Sequence, residues 1–479
     1  MTDTNLIRLL CTFTKPEFRD FGTFVNSAYF NREKVLMNLY SILKKYHPEF
    51  KAEKLKKEKV YSKLFSGKKY NDALMRNTIS DMLKLAERFL KNIHFEEQKF
   101  YGQYLLLKEL TNRKQNTLFR TNFKLADKFL DSEEPRDEIY YQNKFLLEDE
   151  WRRNHVVNSS KILFETDNLD KQSQSLHVYY ITEFIKLYAI LLNQSKYTFD
   201  YKFDFALFEA VREYLEKNFS KYSSFPYINV FYNCVKLYLT GEEKYFNELK
   251  LQIKKHFRVL TLTDRKNIFI VLIKHCDEQI MKGNLEFSDE KFRILQDFII
   301  TKAYLEGNNF MAHYIYEIVA DNAIECRKFE WAEQFLIKYK EDVLEKFREN
   351  SFNICMGELL FSKGEFAGSL EVLSHYIPLN VKERIRLNVL LLKIFYNTGN
   401  EGSFSSLIRS SKKYIIRNKT VQESSKTQFA NFLKFSDKLF KIKYDKKLHH
   451  ELRMLTVNIQ SCNELVSKKW LSEEVRLLK

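Results

Sequence analysis

Apolar residues recur three and four positions apart along almost the whole chain, the pattern of helices that bury one face. Between Lys15 and Val25, the side chains of Phe18, Phe21, Phe24 and Val25 fall on one side of such a helix. Asn31 is placed to cap a helix running to Tyr46, because its side chain accepts an otherwise orphaned backbone N–H. That helix buries Val35, Leu36, Leu39, Tyr40, Leu43 and Tyr46, and His47-Pro48 ends it. A lysine-rich stretch follows, in which Val60, Leu64 and Phe65 share a face. The spacing then predicts a helix from Asp72 to Leu90 with Met75, Ile79, Met82, Leu83, Ala86 and Leu90 as its apolar stripe.

From about residue 95 onward the pattern is a succession of helices separated by short polar breaks. The charged segment DSEEPRDE at Asp131–Glu138 reads as a linker or an exposed loop between helices. Four later breaks carry glycine, at Gly241, Gly283, Gly364 and Gly399, and a fifth, ECRKFEW around Arg327, carries none. Their intervals are 42, 44, 37 and 35 residues, and each break lies between two amphipathic runs. This is the signature of repeated helix–turn–helix units. The expectation is an all-α chain with an N-terminal helical module over 1–94 and a helical-repeat region over 95–479.

One unit is clearest, at about 350–383. Gly357 precedes Gly364 by seven residues, and Phe366, Ser369 and Leu373 follow at the turn and in the second helix. This resembles the tetratricopeptide repeat, in which a small residue on the first helix packs against the second. The preceding unit matches in part through Ala320, Phe329, Ala332 and Leu336. The next has Gly399 at its turn but Phe404 where the family has alanine, and Val381 stands at the repeat's usual proline. The resemblance covers about 316–420 and implies a tetratricopeptide-like solenoid whose concave surface recognises other proteins. The opening LLCTFTKPEFRDFGTFVNSAYFN is also similar to the start of uncharacterised bacterial proteins of like length, which implies no function.

Composition narrows the class further. Eleven Gly and five Pro make about 3% of 479 residues, against ~12% in ordinary chains. Sheets and hairpins need those residues for their turns, so little room is left for them. A 44% hydrophobic and 15% aromatic content excludes general disorder. The longest apolar run, Tyr180 to Leu192, is interrupted by Glu183 and Lys186, and a membrane span is not expected. Asp3 and Arg8 spoil the N-terminus as a secretory leader. Cys11, Cys234, Cys276, Cys326, Cys355 and Cys462 lie far apart and read as buried, reduced thiols of a cytoplasmic protein.

The net charge of +16 is concentrated. Residues 31–100 hold 17 basic and 9 acidic side chains, residues 401–450 hold 12 and 4, and the rest of the chain balances. Arg409, Lys412 and Lys413 stand three and four apart, with Arg417 one turn on, so one helix face can offer them to an acidic protein or peptide partner. In the other basic stretch, the order around Leu55–Leu90 is similar to the helical part of bacterial winged-helix regulators. That resemblance implies a DNA-binding alternative in which Arg76, Asn77 and Lys84 face the major groove while Lys68 and Lys69 neutralise phosphates. No β-rich wing is expected after it, since His94 to Leu110 has helical spacing.

Catalytic signatures are sparse. There is no GxGxxG or GxxxxGK[ST] phosphate loop. Met454 stands where a metalloprotease helix beginning at His449-His450-Glu451 needs its second histidine. His275 and Cys276 are adjacent, hence about 100° apart on a helix, and Asp200 and Asp204 are two carboxylates on one helical face. Aromatics such as Phe310, Tyr314, Tyr316, Tyr227, Phe231 and Tyr238 read as core first and as groove lining second. The sequence therefore points to a non-catalytic interaction scaffold without cofactor or metal, with a DNA-binding regulator as the alternative and an enzyme whose site is dispersed over the repeats as the third.

Overall fold

A computed structural model describes residues 1, 3–51, 55–132, 134–158, 166–197, 203–305, 310–418 and 423–478. It is all-α: helices account for nearly every ordered element, and the described residues contain no β strand beyond isolated bridges joining Leu305, Met311 and Val343. The chain divides into two compact units, Met1–Ile181 and Thr182–Lys479.

In the first unit, α1 (Asn5–Leu10), α2 (Lys15–Asn26), α3 (Lys34–Leu43), α4 (Lys57–Leu64) and α5 (Asp72–Glu97) close around one core. Helix α2 starts as a capping box: Thr14 and Glu17 satisfy each other's backbone N–H groups, and Pro16 occupies the first turn. It buries Phe18, Phe21, Phe24 and Val25, as the spacing predicts. Asn31 behaves otherwise than expected. Helix α3 begins only at Lys34, and Asn31 is buried before it, donating from Nδ2 to the Val25 carbonyl at 2.8 Å and accepting from the Glu33 N–H at 2.9 Å. The stripe of α5 is also rotated from the expected one: Leu85 and Phe89 are buried while Leu83 and Leu90 are half-exposed. The cause is aromatic packing, since the Phe89 ring lies 5.3–5.8 Å from those of Phe13, Phe21 and Phe24.

A second core in this unit joins α6 (Lys99–Asn112), α7 (Asn116–Ser132) and α8 (Glu138–Asn158) through Phe100, Leu107, Phe119, Ala126, Leu130 and Leu147. The acidic segment leads from the end of α7 to the start of α8, and Lys144 of α8 pairs with two carboxylates of α7, Asp127 at 2.6 Å and Asp131 at 2.8 Å. Helix α9 (Thr166–Tyr197) contains the boundary between the units.

In the second unit, α10 (Ala206–Lys217) and α11 (Phe219–Tyr222) precede five helix pairs. These are α12 (Pro226–Thr240) with α13 (Glu243–Lys255), α14 (Leu262–Met281) with α15 (Phe287–Ile300), α16 (His313–Glu325) with α17 (Phe329–Lys338), α18 (Glu345–Lys363) with α19 (Phe366–Ser374), and α20 (Val381–Thr398) with α21 (Glu401–Arg417). Helices α22 (Glu423–Tyr444), α23 (Leu452–Ser461) and α24 (Lys468–Leu477) complete the chain. Within each pair the helices pack on one another, and each second helix packs on the first helix of the following pair. First helices also meet directly, α12 on α14, α16 on α18 and α18 on α20.

The five polar breaks are the five turns inside these pairs. Each carries a residue in the left-handed region: Gly241 at φ 67°, Gly283 at 99°, Arg327 at 55°, Gly364 at 83° and Gly399 at 68°. At four of them the next residue returns its N–H five positions, as from Lys328 to the Ala323 carbonyl at 2.9 Å and from Glu365 to that of Leu360 at 2.9 Å. Those bonds satisfy carbonyls that a helix end would leave open. Arg327 thus does the work of a glycine.

Candidate functional site

Helix α21 is fixed by its buried side. Asn400 caps its start by accepting from the Ser403 N–H at 3.1 Å, and Phe404, Ile408, Ser411 and Ile415 face inward. The Phe404 ring stacks on Phe440 at 4.3 Å, which explains a bulky residue where the repeat pattern has a small one. The opposite side is cationic: Arg409, Lys412, Lys413 and Arg417 are all exposed, and Ile416 among them is 80% exposed. Among the described residues, none of these four cations lies within ion-pair distance of a carboxylate.

The N-terminal basic candidates are likewise at the surface. Lys68 and Lys69 sit in the turn after α4, and Arg76, Asn77 and Lys84 are exposed on α5. Arg76 is paired with Asp72 at 3.0 Å and Lys84 with Asp81 at 2.9 Å, so two of the three helical positions are already engaged. Helix α6 follows directly.

A third constellation joins residues that no local pattern connects. Arg386 on α20 donates from Nη1 to Glu317 Oε2 at 2.6 Å and from Nη2 to Asp321 Oδ1 at 2.7 Å. It also meets Glu358 twice, from Nε at 2.9 Å and from Nη2 at 2.7 Å. Its partners lie on α16 and α18, so one guanidinium ties three successive first helices together. Ser351 supports the network by donating to Glu317 Oε1 at 2.8 Å. Asp321, Glu358, Arg386, Glu325, Lys382 and Lys393 line a crevice of about 400 Å³, whose apolar wall includes Phe361, Ile385 and Val389.

Glu317, Asp321, Glu358 and Arg386 keep between 22% and 38% of their side-chain surface open to solvent. Three carboxylates face one cation. Burial, and next the Glu358 charge, hold the Asp321 carboxyl well above the usual carboxylate range. Burial also pushes Glu358 up, but the charge and hydrogen bonds of Arg386 outweigh it and its carboxyl lies below the usual range. Of the two carboxyls, Asp321 is therefore the one that takes up a proton more readily. Burial lowers Lys393, against the opposing pull of Glu358, Glu473 and Glu325.

The remaining chemical candidates are structural. His275 is buried between the rings of Phe246, stacked at 4.8 Å, and Phe287, and burial lowers its imidazole to about 4. Cys276 beside it is buried, with its thiol pushed up to about 12 by that burial. Asp204 does not sit on a helix as the spacing suggests; it precedes α10 and accepts from the Ala206 N–H at 2.9 Å, while Asp200 lies outside the described residues. His449, His450 and Glu451 form a 3₁₀ turn. Phe310 stands before α16 rather than on it, Tyr316 is buried, and Tyr314 is exposed. The cysteines are all unpaired, but Cys11 is exposed, contrary to the expected burial, because it ends α1 at the surface.

Among the described residues no helix is long and apolar enough to cross a membrane, and no group of three or more His, Cys, Asp and Glu is placed to hold a metal ion. No protein-family model matches the chain, and no curated protein or solved structure is significantly similar to it.

Proposed function

We propose that the chain is a helical-repeat scaffold of tetratricopeptide-like type that holds an acidic segment of another protein. The alternation of first and second helices over α12–α21 supports the repeat reading, as does the left-handed residue in each turn. Such stacks leave an extended surface that their own core does not use. In this reading residues 95–479 carry the repeats, degenerate outside 316–420, and 1–94 form a helical cap. The protein works in the cytoplasm without catalysis or cofactor.

One observation carries the partner assignment: Arg409, Lys412, Lys413 and Arg417 are exposed together with no carboxylate among the described residues to neutralise them. Exposed charge of this kind contributes little to folding but attracts and orients an oppositely charged partner. The test is fluorescence anisotropy with a labelled oligoglutamate peptide, comparing the wild type with an Arg409/Lys412/Lys413/Arg417→Glu variant. The wild type binds in a salt-sensitive manner and the variant at least about tenfold more weakly. Equal binding by both, or by neither, overturns the assignment. Duplex DNA at about 50 mM salt is run in parallel. DNA binding that is lost on charge reversal of Lys68, Lys69 and Arg76 would favour the regulator instead.

A further inference from the structure

We propose that Lys393 is a reactive amine that condenses with the carbonyl group of a small aldehyde or ketone held in the crevice between α16, α18 and α20. This site is separate from the cationic face of α21, and either assignment can fail without the other.

Four observations converge on it. Lys393 lines a cavity of about 400 Å³, within the range that takes a small ligand. Among the described residues its ammonium makes no ion pair or hydrogen bond; its near neighbour is the Trp470 ring, whose centroid is 5.7 Å away. The charged groups around it in the crevice are Asp321 and Glu325 from α16 and Glu358 from α18, with Lys382 and Arg386 on its own helix, and Glu473 of α24 also acts on it. Burial outweighs the pull of those carboxylates and shifts Lys393 below the ordinary lysine value, toward the neutral amine that attacks carbonyls. Beside its charged groups the crevice carries an apolar wall of Ile324, Phe361, Ile385, Val389, Leu390 and Val466, against which a short hydrocarbon body can lie.

The same cavity holds the acid the reaction needs. The Lys393 nitrogen lone pair attacks the carbonyl carbon, and the C–O π pair moves to oxygen, giving a carbinolamine after one proton shifts from nitrogen to oxygen. In this proposal a protonated Asp321 carboxyl gives its proton to the carbinolamine hydroxyl, which leaves as water while the nitrogen pair forms the C=N bond. Loss of the remaining N–H proton returns the carboxyl pair to its starting state. One carbonyl and one amine become one imine and one water, with no oxidant or reductant consumed.

The experiment uses the intact wild-type chain, hexanal as probe and cyanoborohydride to trap the imine, with adducts located by peptide mass spectrometry. At about pH 7, where exposed lysines are almost wholly protonated, Lys393 is alkylated at least about tenfold faster than Lys68 or Lys412. The comparison is internal to one folded protein and needs no variant. Asp321→Asn, which keeps the hydrogen bond to Glu358 but loses the transferable proton, slows labelling of Lys393 and leaves Lys68 unchanged. Labelling of Lys393 no faster than the exposed lysines overturns the proposal. Fast labelling that is indifferent to Asp321→Asn overturns the role given to the carboxyl pair.

Discussion

Leu373 lies against the bare backbone of Gly357: a Cβ built on the glycine would stand 2.6 Å from Leu373 Cδ2. Beside this contact, Ser369 is fully buried and donates to the Gly357 carbonyl at 2.7 Å. The second helix of the pair thus approaches the first as closely as an absent side chain allows. Gly357→Ala forces the two apart and is expected to cost about 1 to 3 kcal/mol in chemical denaturation. Leu373→Ala empties the same space, so the double variant loses clearly less than the sum of the singles. Additive losses would show that the two residues do not bear on each other.

Arg327 pays the conformational strain that glycine avoids at the other four turns. Arg327→Gly is expected to stabilise the chain by about 0.5 to 1 kcal/mol, because relief of the left-handed penalty exceeds the added freedom of the unfolded chain. Gly364→Ala, with φ 83° and no steric obstacle, is expected to lose about 1 kcal/mol. Thermal unfolding of the two variants reads both signs; a loss in Arg327→Gly would mean that its side chain contributes more than its backbone costs.

The Arg386 cluster makes opposite predictions for its two kinds of member. Arg386→Met leaves three carboxylates facing one another and is expected to cost about 2 to 4 kcal/mol, somewhat below a fully buried pair because the crevice is partly wet. Arg386→Lys recovers only part of this, since one ammonium cannot serve three carboxylates in the planes the guanidinium reaches. For Asp321 the folded carboxyl is raised, so its contribution is complete below the ordinary aspartate range and is lost as pH rises toward its folded value. Asp321→Asn therefore flattens the fall in melting temperature above about pH 4. An unchanged pH profile would assign this pH dependence to groups other than Asp321.

His275 has the reverse sign. Its imidazole is lowered to about 4, so the unfolded chain binds a proton that the folded chain refuses between the ordinary histidine value of about 6.5 and 4. Stability is lost as pH falls through that window, by an amount on the order of 2 to 3 kcal/mol at its acid end. His275→Phe, packed by Phe246 and Phe287, is expected to remove this slope without loosening the core at pH 7. Urea titrations at pH 7 and pH 4.5 compare the two; equal slopes would assign the acid sensitivity to other groups.

Features governed by neighbours in the chain were legible before any coordinates. The apolar face of α2, the glycine-bearing turns and the Gly357–Ser369–Leu373 relationship depend on residues at most sixteen positions apart: periodicity exposes the first, glycine placement the second, and the tetratricopeptide resemblance implies the third. Where a distant group decides, the pattern misleads. Phe89 turns the face of α5 toward the rings of Phe13 and of Phe21 and Phe24 on α2, and nothing near Leu83 or Leu90 announces them. Arg386 reaches Glu317 across 69 positions and Asp321 across 65. Charged residues at such separations look like ordinary solvated surface until the helices are stacked. The cationic face of α21 was visible from its spacing, but its lack of carboxylate neighbours was not.

A single planar side chain joining α16, α18 and α20 has a mechanical consequence. If the chain is pulled from its ends, contacts between successive pairs would ordinarily fail in series, each peeling at its own modest force. Arg386 instead carries load in parallel to Glu317, Asp321 and Glu358, so α20 cannot peel away without breaking all three attachments at once. The stretch from Glu317 to Arg386 should therefore yield to tension as one block, a stiff segment set within a more compliant spring.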